Sequence, residues 1–223
     1  MVNGESNLAS VYQERGYALI KNVVPPEVAG VFLSITQKAM GDGRDAQARF
    51  AASMKPLSKP AYDIYSADYP AALTFLWALT PFVERVIGKS LLPTYSFFRV
   101  YQKGGVCMVH SDRPSCEHSM SLALGASDGL KWPFTIGQRR LSEQEIRAKE
   151  ILPDFGEDEF SAFETEPGDA VLYQGIHYRH GRLAPNPNRW SAHMFLHWVD
   201  RDGPFKEFAF DKRALPGGAE FKF

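Results

Sequence analysis

The sequence predicts a mainly β chain braced by N-terminal helices, an α+β arrangement whose β part is a double-sheet jelly roll. Apolar residues recur at helical spacing within the first ninety residues. From Leu92 the texture changes to short alternating runs with frequent turns, and six such runs fall within about a hundred residues.

In chain order, residues 16–24 read as a short strand rich in β-formers, and Pro25-Pro26-Glu27 supplies the fixed φ and acidic first turn that start a helix. That helix is expected to run to about Met40. Val28, Val31, Phe32 and Ile35 form its apolar face, and Gly41-Asp-Gly-Arg-Asp45 stops it. Residues 70–88 read as a second helix, with a kink or break at Pro81 and a stop at Gly88. The six strand candidates follow at 94–102, 106–112, 119–124, 132–136, 164–173 and 190–199. A polar, partly helical insertion at 137–160 interrupts them, as excursions that shape a binding mouth often do. With 223 residues one domain is the default. It divides into a bracing region at 1–91, a jelly-roll core at 92–200 and a C-terminal extension at 201–223.

Basic and acidic side chains nearly cancel, 25 against 26, so no global field recruits nucleic acid or an anionic membrane. The first twenty residues lack a signal-peptide pattern. Cys107 and Cys116, the two cysteines, are too few for a disulfide scaffold and read as reduced thiols, so a cytoplasmic location is expected. Oligomeric state has no signature in the sequence.

The chemistry gathers in two places. His110-Ser111-Asp112 ends a strand-like run, and residues two apart on a strand share a face. Asp112-Arg-Pro-Ser is also good turn chemistry, so the pair alone reads more readily as a surface turn than as a metal site. Further on, Pro167-Gly168-Asp169 makes a turn before a strand, and His177, His180 and then Arg189-Trp190-Ser191 follow. Two histidines and one carboxylate on a β framework leave one face of an octahedral ion open, the set suited to non-haem Fe(II) and oxygen. Arg189 and Ser191, on one strand face, can together grip a carboxylate, which implies an acidic cosubstrate.

Residues 92–200 resemble the Fe(II)- and 2-oxoglutarate-dependent dioxygenases of the prolyl-hydroxylase-like branch. The resemblance is carried by Tyr95-Ser-Phe-Phe-Arg-Val-Tyr101, Gly104-Gly105, His110-X-Asp112-Arg-Pro-Ser-Cys-Glu117, Pro167-Gly-Asp169, His180 and Arg189-X-Ser191. It implies a double-stranded β-helix, cupin-like, with Fe(II), 2-oxoglutarate and O2 as cofactor and cosubstrates. It further implies that His110, Asp112 and His180 hold iron and that Arg189 and Ser191 hold the distal carboxylate of 2-oxoglutarate. Tyr101 would donate a hydrogen bond to that carboxylate, and Tyr95 and Arg99 share its strand parity as further cofactor-binding candidates. Asp112 stands where the related halogenases leave a gap for chloride, which implies hydroxylation of an unactivated C–H bond, with succinate and CO2 as co-products.

Other readings stand beside these. His177 competes with His180, but its spacing to Arg189 fits the resemblance less well. His193 and His197 read as hydrogen-bonded core residues, and Cys116 and His118 as packing residues. The Trp132–Phe134 stretch serves equally as substrate wall or core. Arg139, Arg140, Arg147 and Lys149 in the insertion are offset by acidic neighbours, which makes a solvated helix the default. A zinc hydrolase on the same ligands leaves Arg189 and Ser191 unexplained, and a non-catalytic cupin-like binding module would lack a ligand. The expected partner is a small-molecule, amino-acid-like or peptide substrate, without nucleic acid or membrane.

Overall fold

The structure is a computed structural model describing residues 2–41 and 56–212. The connection after Gly41 and the residues beyond Lys212 lie outside the described residues. Two antiparallel sheets face each other. The larger runs β1 (Tyr17–Ile20), β8 (Ala170–Tyr173), β5 (His118–Ala126), β10 (Trp190–Asp200), β3 (Leu91–Gln102) and β2 (Tyr62–Tyr65). The smaller runs β4 (Cys107–His110), β9 (His180–Arg182), β6 (Phe134–Gly137) and β7 (Phe160–Phe163). Three helices cover the larger sheet, α1 (Val2–Arg15), α2 (Pro26–Met40) and α3 (Leu73–Ile87), and a short α4 (Glu143–Ala148) sits in the insertion.

The alternation along β10 explains the two layers. Ala192, Met194, Leu196 and Trp198 join Phe98, Met120, Leu122, Leu124 and Leu172 in the core under the helices. Ser191, His193, Phe195 and His197 fall at the alternate positions and face the smaller sheet. In this chain the largest hydrophobic cluster therefore lies outside the barrel, between sheet and helices, and two smaller clusters, around Phe97 and around Phe134, share the barrel interior with polar side chains.

The helices differ from expectation in instructive ways. On α2 the buried positions are Ala29, Thr36 and Met40, with Phe32 edge-on to Phe75 at 4.8 Å, whereas Val28, Val31 and Ile35 are exposed. The helix carries apolar residues on two faces, and the one with small Ala29 packs against the sheet. Pro81 does not break α3, because it lies on the exposed side, where the carbonyl it leaves unpaired meets water. Gly88 caps that helix in the left-handed conformation, donating to Glu84 O at 2.8 Å. The stretch Pro70–Ile87 is long and apolar enough to cross a membrane by composition, and here Phe75, Leu76, Val83, Val86 and Ile87 are packed in the core. The strand expected at 164–173 is interrupted: β7 ends at Phe163, and β8 begins after the Pro167-Gly168 turn. There the buried Asp169 carboxylate accepts from Lys21 Nζ at 2.5 Å and from the backbone of Asn22 and Glu166, both at 2.9 Å.

A second buried polar chain ties α1 to the sheet. Tyr12 Oη meets His118 Nδ1 at 2.8 Å, His118 Nε2 meets Asp200 Oδ1 at 2.9 Å, and Lys89 reaches Asp200 Oδ2. Burial alone would raise the Asp200 carboxyl, but the bonds from His118 and Lys89 outweigh it and hold the group below its ordinary range. A depressed carboxylate stabilises the fold above its unfolded pKa and loses that contribution as pH falls toward the folded value. Chemical denaturation should therefore show stability falling below about pH 4, and Asp200→Asn should flatten that acid limb. His118→Leu, which leaves Asp200 and Tyr12 without this partner, should cost about 3 kcal/mol at neutral pH.

Candidate functional site

Between the sheets lies a cavity of about 350 Å³, lined among others by His110, Asp112 and His180 from one side and Tyr95, Phe97, Arg99, Tyr101, Phe195 and His197 from the other. Strand pairing assembles its centre. His110, the last residue of β4, is the register partner of His180, the first of β9. Asp112 follows two residues later, and its backbone N–H donates to Gly175 O at 2.9 Å. One ligand-type atom from each of the three lies within 4.8 Å of the others. Asp112 Oδ1 is 3.9 Å from His110 Nε2 and 3.5 Å from His180 Nε2.

The protonation states are set for a cation. His110 Nδ1 bonds Met108 O at 2.8 Å and His180 Nδ1 bonds Tyr178 O at 3.0 Å, each to the carbonyl two residues earlier. A carbonyl only accepts, so both Nδ1 atoms carry a proton, and both Nε2 atoms face Asp112. Burial, reinforced by neighbouring His180, pulls His110 down to about 4, so the ring is neutral at pH 7. Burial pushes Asp112 the other way, but the two histidines and a bond to His180 prevail and hold it well below the usual carboxylate range. Ser119 Oγ lies 3.2 Å from Asp112 Oδ2 and 2.8 Å from His197 Nδ1, which links the second carboxylate oxygen to β10.

Of the histidines weighed from the sequence, His180 joins the cluster and His177 does not. His177 sits in a turn, its N–H donating to Gln174 O at 3.0 Å, and it does not line the cavity. His193 and His197 are buried, as the core reading has them, with their Nδ1 atoms bonded to Arg182 Nη2 and Ser119 Oγ. Cys107 and Cys116 are free, buried thiols in the cavity wall, pushed up by burial, Cys107 to about 11. Phe134 lines the cavity, whereas Trp132 lies behind it, donating Nε1–H to Ala184 O at 2.6 Å. The insertion contributes Lys149 and Ile151 to the mouth and is fastened by ion pairs of Arg139 and Arg179 with Glu145 and Asp158.

The expected carboxylate grip is placed differently. Arg189 lies in a bend before β10 begins, so the two-residue parity with Ser191 does not apply to it. Its side chain is 75% exposed beside Asp128 and lines no part of the cavity. Ser191 is buried, but its hydroxyl donates to Asn186 Oδ1 at 2.9 Å and accepts from Asn188 Nδ2 at 3.2 Å, outside the cavity. Tyr101, Tyr95 and Arg99 do line it. Arg99 is already engaged, its Nε and Nη2 donating to Asp63 at 2.6 and 2.5 Å. Sequence reasoning missed Arg182. It stands two residues after His180 on β9, 2% exposed, with its guanidinium 4.8 Å from the Trp132 ring and 5.6 Å from the Phe134 ring. It donates to Trp132 O at 2.5 Å and to His193 Nδ1 at 3.2 Å, and among the described residues no carboxylate pairs with it. Burial, the leading influence, lowers its pKa. The signal available in the sequence was its i+2 spacing from His180.

No family model matches the chain, and no curated protein matches it in sequence. Solved structures do share the fold. SnoK, a non-heme alpha ketoglutarate dependent carbocyclase from nogalamycin biosynthesis, aligns with a TM-score of 0.68 at 15% identity, over 90% of this chain and 85% of that one. The epimerase SnoN, in complex with Fe3+, alpha ketoglutarate and nogalamycin RO, aligns at 0.59 and 12% identity, over 97% and 92%. A Pseudomonas putida prolyl-4-hydroxylase aligns at 0.56 and 12%, over 86% and 98%. The chain thus has the double-stranded β-helix fold of the 2-oxoglutarate oxygenases.

Gly175 is a local test of the cluster. A Cβ there would lie 2.3 Å from Asp112 Oδ2 and 2.7 Å from Ser119 Oγ, so Gly175→Ala must displace the carboxylate. Co(II) titration should show affinity at least ~10-fold weaker, with the circular dichroism of the fold retained.

Proposed function

We propose that the chain is an Fe(II)- and 2-oxoglutarate-dependent oxygenase of a small-molecule substrate, with His110, Asp112 and His180 as iron ligands and Arg182 as the anchor of the distal carboxylate of 2-oxoglutarate. The carrying observation is that one cavity holds both a prepared His-Asp-His set and a buried guanidinium with no carboxylate of its own. The donor set fits the metal: two imidazoles whose Nδ1 atoms bond backbone carbonyls and whose Nε2 atoms face one ionised carboxylate, which leave a face open. Bound there, iron and 2-oxoglutarate supply oxidative decarboxylation coupled to C–H oxidation by O2, giving succinate and CO2.

The protein's own contribution is positioning and charge. His180 and Arg182 share a strand face about 6.7 Å apart, a separation suited to a diacid with one end at the metal set and the other at the guanidinium. The Arg182 charge offsets the desolvation of that buried acid, and its planar fork fixes the acid's direction. His193 accepts from Nη2 and keeps the fork turned toward the cavity. Tyr101, protonated with its pKa raised by burial to about 12, is a further donor on the same wall. Ser119 steadies the Asp112 oxygen directed away from the histidines. A zinc hydrolase would leave the uncompensated Arg182 without a purpose.

Anaerobic Fe(II) binding should disappear in His110→Ala, Asp112→Ala and His180→Ala and persist in His177→Ala. By calorimetry on the metal-loaded protein, Arg182→Ala should weaken 2-oxoglutarate at least ~100-fold, and Arg182→Lys should recover part of that. Arg189→Ala should leave the affinity unchanged. A loss confined to Arg189→Ala would return the anchor to β10, and indifference to 2-oxoglutarate in the unmodified protein would sink the oxygenase reading.

A further inference from the structure

Resting on that reading, we infer that the substrate is an uncharged molecule presenting a flat π face to the β2–β3–β10 wall, and not an amino acid or other zwitterion. The wall is a cross-strand ladder of rings. Tyr65, Phe97 and Phe195 are register partners across the three strands, with centroids 5.2 and 4.8 Å apart and planes 25° and 17° from parallel. Coplanar six-membered rings cannot approach so closely, so these rings are offset-stacked, and Phe97, between the other two, has both faces covered. Their edges, the positive end of the ring quadrupole, are left toward the cavity they line. Tyr95 continues the row, 6.1 Å from Phe97 and 11° from its plane. Ring edges are complementary to a π face laid across them, in the edge-to-face geometry that aromatic pairs prefer.

The charges at this end of the cavity point the same way. Arg99 is held in a fork by Asp63. Arg113 lies over Tyr95 at 4.2 Å and pairs with Asp211 at 3.1 Å. Arg182 is taken by the cosubstrate, and Asp112, the one acidic residue in the lining, by the metal. Lys149 stands exposed at the mouth, where water screens it. A substrate ammonium would find no unpaired carboxylate among the described lining residues, and a buried substrate carboxylate would have to displace Asp63 or Asp211.

The test uses protein loaded with Ni(II) and 2-oxoglutarate, followed by calorimetry with 2-naphthol, its saturated counterpart decahydro-2-naphthol, the anion 2-naphthoate and the zwitterion L-phenylalanine. 2-Naphthol should bind at least ~10-fold more tightly than each of the others. Phe97→Leu should weaken 2-naphthol about tenfold and leave Ni(II) and 2-oxoglutarate affinities unchanged. Equal or tighter binding of any of the other three, or no binding of 2-naphthol, overturns the inference. Failure of Ni(II) or 2-oxoglutarate to load counts against the oxygenase reading instead, and the 2-naphthol titration of the metal-free protein then still decides whether the wall takes a π face.

Discussion

Everything in this molecule depends on one sheet having two unlike faces. The outer face of the larger sheet carries Phe98, Met120, Leu122, Leu172, Met194 and Trp198 under three helices, and removing that area from water is what holds the chain folded. The inner face is thereby relieved of most of that duty. Beside the smaller cluster of Tyr95, Phe97, Tyr101 and Phe195 it carries Arg99, Ser119, His193 and His197, side chains that are costly to bury without partners. A polar interior of this kind persists only because nearly every member is bonded to another, as in the Asp112, Ser119 and His197 chain.

The same interior sorts its cations. Two arginines are matched to acids from the periphery, Asp63 on edge strand β2 and Asp211 near the end of the described chain, while among the described residues Arg182 is bonded to a carbonyl and a neutral imidazole and to no acid. Buried charges are costly unless paired, so an unmatched one is the most informative residue in the cavity. Its neighbours Trp132 and Phe134 support the guanidinium by cation–π contact without neutralising it.

How much of this was legible in the sequence follows from the range of each signal. His110-X-Asp112 was readable from its close spacing, although β4 ends at His110 and Asp112 is held in the following turn by its N–H bond to Gly175 O. His180 needed the β4–β9 register, which is a long-range fact, yet the order of motifs along the chain substituted for it. The strand parity read for Arg189 does not hold, because it crosses a strand boundary: β10 begins at Trp190, and the preceding bend leaves Arg189 beside Asp128 and solvent. The α2 face misled for a related reason, since a helix with apolar residues on both sides has no unique periodicity, and Ala29 rather than Val28 meets the sheet. Strand β2 and helix α1 escaped notice because they are short or weakly amphipathic and owe their place to partners, β3 for the one and α3 with β1 for the other.

The proposed anion anchor, Arg182, lies on β9, and this would have a mechanical consequence. His180 and Arg182 are then separated by one glycine, Gly181, whose added Cβ would lie 2.6 Å from Cys107 O, so β9 is pressed tightly against β4 at the point between them. On a rigid three-residue strand, a displacement that moves the guanidinium also moves the imidazole, and cosubstrate seating and metal geometry become a single variable rather than two. An anchor on β10, across the cavity on the opposite sheet, would instead let the two sheets shift relative to each other and change the grip on 2-oxoglutarate without disturbing the metal ligands. The proposed anchor on β9 would tie occupancy of the anion site to the orientation of His180, which is also the histidine in closer contact with the Asp112 carboxylate.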